Sequence, residues 1–330
     1  MPAARVTLAV LLLLTACGPA ATHTPSRTAV PRTATPAPPP TPTPIPPLGS
    51  PAIIQVENSA GGRPQSGLAA ADLVYEYVAE GGVGRFSVFF FTTPAARQAV
   101  GPVRSARTVT IALASLYHGF VAYSGASTYI GGLLGHASFP SFDEDSARGN
   151  LFRISTRFAP HNLYTDGQHI AVLASLARLA PAPYQLWART TSPLGGAPVT
   201  TFTVPVSVFE RPRFTWQPTL NGFSRTEDTG RVLDPANGAP LIVPTVIVQQ
   251  VAVTTDRRVV DVDGHLGVDQ AITGSGAAQV FTGGREYQAT WTQPPYGPPQ
   301  YTLSDGSPAP IAPGEVWISL VPTGQPAVVG

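Results

Sequence analysis

Apolar and polar positions alternate in short blocks over most of this chain, and the blocks predict strands more often than helices. AIIQVE (52–57) is a short apolar run that suits a buried strand and closes on the polar pair Glu57-Asn58. The glycine-rich loop SAGGRPQSGL separates it from DLVYEYVA (72–79), which meets a Gly81-Gly82 turn signal before the aromatic, β-branched run RFSVFFFT (85–92). The pair reads as a hairpin. LAAADLVYEYVAE also carries a helical period, so a helix over 68–80 stands as the alternative. Downstream, residues 108–117 predict a helix beginning near Ser105 to Thr108, followed by a buried strand over 120–123. Thr165-Asp166-Gly167-Gln168 fits a capping box, with the threonine hydroxyl as cap, in front of the apolar-faced helix QHIAVLASLARL.

Beyond SPLGGAP (192–198) the pattern is nearly all strand and turn: TFTVPVSVF, RFTWQP, TVIVQQVAV, RVVDVDG, REYQATW and VWISLVP. The fold class expected is α+β, with a mixed-sheet α+β domain over 51–191 and a mainly β domain over 199–330.

The N-terminus changes the picture of where the chain works. MPAARVTLAVLLLLTACG has a basic start, an apolar run from Val6 to Leu14 and small residues before Cys17, which is the pattern of a secretion signal. The run is shorter than the roughly 20 residues a membrane span needs. Leu14-Thr15-Ala16-Cys17 resembles a bacterial lipobox, so Cys17 is the expected lipidation site; an ordinary cleaved signal with a chance cysteine is the alternative. Residues 18–50 hold 11 prolines and 7 threonines, a composition that buries too little apolar surface to fold and reads as a stalk. Fully extended at about 3.1 Å per residue, the stalk reaches roughly 100 Å. The picture is an exported body, lipid-anchored to the outer face of the cytoplasmic membrane, or to another envelope membrane in a diderm.

Charge is sparse: 12% of the residues are charged, and the net charge is +1. All 20 basic residues are arginines, scattered rather than gathered, which argues against a nucleic-acid partner. Against that background three acidic residues, Asp72, Glu76 and Glu80, recur at a spacing of four. They share a face on a strand and on a helix alike. GPVRSAR sets Arg104 and Arg107 about Ser105 at a helix start, where guanidinium groups and free amides together suit an anion. One reading is a cleft lined by Glu57, Asn58, Arg63, Asp72, Glu76, Glu80, Arg85, Arg104, Ser105, Arg107, His161 and Asn162. The other is charge pairing that locks the fold.

The blocks ENSAGGRPQSGLAAADLVYEYVAEGGVGRF, GPVRSAR and HNLYT, with TVIVQ and PGEVWISLVP later, look like the signature blocks of the YerB-like family of bacterial lipoproteins. The resemblance covers roughly residues 51–325 and implies an exported two-domain α+β lipoprotein. It implies no catalytic residues and no cofactor. Pro244-Thr245 stands where the family pattern has an asparagine.

Three functions stay open. The first is a binding module for a polar or anionic envelope component, such as a wall glycan, a peptide or a small anionic ligand. The second is an envelope hydrolase, using Ser124 or Ser127 with His161 or a carboxylate pair; the sequence has no G-x-S-x-G, which leans away from an enzyme. The third is a scaffold whose β-rich domain holds a partner protein. No metal is expected: His161 and His169 lack the spacing of helical zinc ligands, and DVDGHLGVD, with Asp261, Asp263 and Asp269, reads as a hairpin turn rather than a calcium loop.

Overall fold

The computed structural model describes residues 47–228, 230–235 and 238–330. The signal sequence, Cys17 and most of the proline-rich stretch lie outside the described residues. Strand β1 (Pro47–Glu57) reaches back into the stretch that composition assigns to the stalk, because Pro47 pairs with Thr92 and Gly49 accepts a hydrogen bond from Ala182.

Strands β2 (Leu73–Val78) and β3 (Gly84–Thr92) form the expected antiparallel hairpin. All six residues of β2 are buried, as befits a strand covered on both faces. Its alternation sends Val74 and Val78 to one core and Leu73, Tyr75 and Tyr77 to the other. The helical alternative fails for that reason: a helix offers one stripe, and this segment buries every side chain.

Helix α1 (Thr108–Tyr117) lies where the sequence places it, and it leads into the strand Phe120–Ala122, which runs parallel to β1. Helix α2 (Thr128–Gly135) escapes the pattern, since three of its eight residues are glycines with little intrinsic preference for a helix. Its start is held by Ser127, whose hydroxyl accepts from the Ile130 amide, and its buried face is Ile130 and Leu134. Ser127→Ala is expected to lower stability by about 1 kcal/mol, read from urea unfolding. Helix α3 (Gly167–Ala177) corrects the predicted cap by one residue. Asp166 accepts from the His169 amide at 2.9 Å, while the Thr165 hydroxyl donates to the Asn150 carbonyl.

The two domains share one sheet. Strand Val316–Pro322 runs parallel to β2 on one side and to Thr245–Val251 on the other, making a sheet of 11 strands among the described residues. Helices α1 and α2 pack on one face of it. A smaller sheet that includes Thr201–Thr203, Arg213–Gln217 and Gly222–Glu227 covers the other, and there Phe202 stacks on Phe281 with ring centroids 3.7 Å apart. A separate antiparallel hairpin, Val253–Val260 with Leu266–Gln270, leaves the large sheet and crosses to the helical side. Among the described residues no helix is long and apolar enough to cross a membrane.

Candidate functional site

Parallel strands leave a crevice where their carboxyl ends diverge into loops, and helix N-termini there supply free amides. Here β1 and Phe120–Ala122 end side by side, and α1 and α2 begin at the same place. A cleft of about 630 Å³ opens at this point. Its lining includes Glu57, Glu80, Arg85, Arg104, Ser105, Arg107 and His161, with residues 259–263 of the crossing hairpin as the facing wall.

Glu57 ends β1 and is buried. Its Oε1 accepts from Ser59 Oγ at 2.6 Å, and its Oε2 lies 2.8 Å from His161 Nδ1. The local sequence SAGGRP makes this possible. A Cβ on Gly62 would stand 2.6 Å from Glu57 Cγ, and one on Gly61 would stand 2.6 Å from His161 Nε2. The glycines leave room for the carboxylate and the imidazole to meet.

Arg85 lies across from Glu57 in the β1–β3 register and is only 7% exposed. Among the described residues its Nε and Nη1 have no hydrogen-bond partner. Burial, with Arg107 beside it, pulls its pKa down to about 10, while Glu57 pulls the other way. Arg104 is pinned by its backbone, its amide donating to Gln55 and its carbonyl accepting from Ser124. Its guanidinium stands 3.5 Å from Glu57 Oε1 and donates to the Pro160 carbonyl at 3.4 Å. Arg107 stands at the N-cap position of α1 and grips Glu80 Oε2 at 2.5 Å through Nε and Nη2. The other carboxylate oxygen of Glu80 is buried with no partner among the described residues.

The remaining residues of the sequence-based cleft lie elsewhere. Asn58 and Arg63 turn toward Glu210, and Arg63 also pairs with Glu227. Asn162 accepts from Arg153 at 2.7 Å. Asp72 sits at the opposite end of β2, accepting from the amides of Phe91 and Thr92, and burial pushes its pKa up. Glu76 is fully buried and bonds Arg225, Trp317 and Ser319. The acidic row therefore shares no face: only Glu76 falls within the strand, Asp72 precedes it and Glu80 belongs to the turn after it.

The charge center around Arg225 is what the sequence reading missed. Its signal was the parity of GFSRTE, which puts Phe223, Arg225 and Glu227 on one side of a strand with Phe223 in the core. The wall at 259–263 was equally hidden, since nothing local says that this hairpin crosses to the first domain. Of the proposed serines, Ser127 lines the cleft but is occupied as the α2 cap, and the recorded partner of the His161 ring is Glu57. Asp261, Asp263 and His265 bring ligand-type atoms within 4.8 Å of one another. Asp261 Oδ1 accepts from the amides of Asp263 and His265, the bonding of a hairpin turn.

Two family profiles match the chain: "Protein of unknown function (DUF3048) N-terminal domain" over residues 43–178 and the corresponding C-terminal domain over residues 202–318. The chain is 28% identical over 296 residues to "Putative lipoprotein YerB" of Bacillus subtilis, covering 82% of this chain and 81% of the relative. The crystal structure of the YerB protein from Bacillus subtilis superposes with a TM-score of 0.68 at 24% identity, covering 85% of this chain and 93% of that one. That likeness bears on the fold.

Proposed function

The chain belongs to the YerB-like family, and from that premise we propose that it is an exported lipoprotein, anchored through Cys17, whose cleft binds an anionic group of a cell-envelope ligand. The lipobox-like Leu14-Thr15-Ala16-Cys17 and the name of the Bacillus relative support the anchor. The anchor faces outward from the cytoplasmic membrane, or from another envelope membrane in a diderm, and the stalk carries the cleft away from the bilayer. The ligand is a wall glycan fragment, a peptide or a small metabolite.

One observation carries the binding reading. Arg85 keeps a guanidinium more than nine-tenths buried at the cleft with two nitrogens unpartnered, and a group so placed is costly unless something completes its hydrogen bonds. The starts of α1 and α2 add amide dipoles of the same sign. The test is a calorimetric screen of wall-derived glycans, stem peptides and small anions against the soluble body. Arg104→Ala with Arg107→Ala is expected to weaken any anionic hit by about 10- to 100-fold, the range for lost charge-assisted hydrogen bonds. Hits that bind both the double variant and Arg85→Gln with unchanged affinity refute the anion role.

A further inference from the structure

Arg85 has an opposite-sign counterpart. Glu80 and Arg85 stand at the two ends of the turn joining β2 to β3, and both line the cleft. Glu80 is 6% exposed, and its Oε1 lacks a partner among the described residues, just as Nε and Nη1 of Arg85 do. Arg107 lies between them in charge terms: it holds Glu80 Oε2 and repels Arg85. Arg107 therefore completes half of Glu80 and none of Arg85. The site presents one unused buried acceptor and one set of unused buried donors.

The rest of the lining speaks against a multiply charged anion. Glu57, Glu80, Asp261 and Asp263 line the same space as Arg85, Arg104 and Arg107, so the wall is close to charge-balanced. A phosphate dianion would satisfy Arg85 only by approaching these carboxylates. A ligand that carries a carboxylate and an ammonium meets both unpaired groups and leaves the balance undisturbed. The volume, about 630 Å³, accommodates a short peptide or an amino-acid derivative.

We infer that the ligand is zwitterionic, an amino acid or a short peptide with both termini free, with its carboxylate on Arg85 and its ammonium on Glu80 Oε1. This rests on the anion-binding reading of the same cleft and narrows it.

Three probes separate the two claims by calorimetry on the soluble body, residues 44–330, which is a compact unit of its own. They are alanylalanine, N-propionylalanine, which lacks the ammonium, and alanylalanine amide, which lacks the carboxylate. The dipeptide is expected to bind about tenfold or more tightly than either truncated probe, the value of one charge-assisted contact. In Glu80→Gln that advantage over N-propionylalanine is expected to vanish. N-propionylalanine binding as well as the dipeptide overturns the zwitterion and leaves the anion reading standing. Failure of the dipeptide to bind in the millimolar range also overturns it, and the anion screen then decides the broader reading alone. Should Glu80→Gln fail to fold, the comparison of the three probes on the unaltered protein is decisive by itself.

Discussion

Replacing Arg225 by methionine is expected to lower the unfolding free energy by about 3–5 kcal/mol, the cost of stranding buried carboxylates by removing their cation. Arg225 has no exposed side-chain surface. It bonds Glu76 and Glu227, stands 3.9 Å from Glu210, and places its guanidinium 5.3 Å from the Phe86 ring center and 5.0 Å from that of Trp317. Methionine refills much of the volume but supplies no charge, so Glu76 is left with the indole of Trp317 and the hydroxyl of Ser319, each at 2.8 Å. The network also joins the two domains, since Glu76 sits in β2 and Arg225 in Gly222–Glu227 of the covering sheet. Adding Glu76→Gln to the methionine variant is expected to recover more than about 1 kcal/mol, because it removes one stranded charge. Urea unfolding of the single and double variants is the measurement. A single-variant cost below about 1 kcal/mol, or a double variant weaker than the sum of its parts, defeats this account.

The same cluster shows where sequence reading stops. The hairpin β2–β3 was legible because its strands are rich in β-branched and aromatic residues and meet at Gly81-Gly82, and α1 because its apolar positions lie between clear breaks. The family was legible in several multi-residue blocks whose order and spacing agree. By contrast, Val316–Pro322 inserts in parallel between Thr245–Val251 and β2, the latter more than two hundred residues away in the chain, and no local period records it. Spacing alone puts Glu76 on an acidic face because spacing is one-dimensional. In three dimensions β2 is covered on both sides, and its alternation turns Glu76 toward the second sheet and Arg225. The cleft was half legible for a related reason: Glu57, Arg85, Arg104 and Arg107 come from strand ends and a helix start that the pattern marks, and His161 from the turn before Leu163–Asp166, whereas the wall at 259–263 arrives from the other domain.

Glu210 gives that domain contact a dependence on pH. It lies 6% exposed beside β3, accepts from the Gly84 amide at 2.7 Å, bonds Asn58, and pairs with Arg63 at 3.3 Å. Burial, and then the neighboring Glu76, push its pKa up to about 7 from an ordinary 4.5, against the pull of Arg225 and Arg63. A carboxyl raised in the folded state keeps its proton there while the unfolded chain has released it. Between pH 4.5 and 7 the native state binds more protons, so stability falls as pH rises, and the change ends above the folded pKa. The loss from this one group is expected to reach about 3 kcal/mol across that window. Asp72 and Glu315 are raised as well and act in the same direction, so the unaltered protein alone does not isolate Glu210. Glu210→Gln does, because an amide oxygen still accepts from Gly84 but carries no titrating proton. The unaltered protein is expected to lose stability relative to this variant from pH 4.5 to 7 and to hold a constant difference above it, in urea unfolding followed at each pH. A difference that stays flat through the window means that Glu210 keeps an ordinary acidity and that the Arg63 and Arg225 guanidinium groups outweigh its burial.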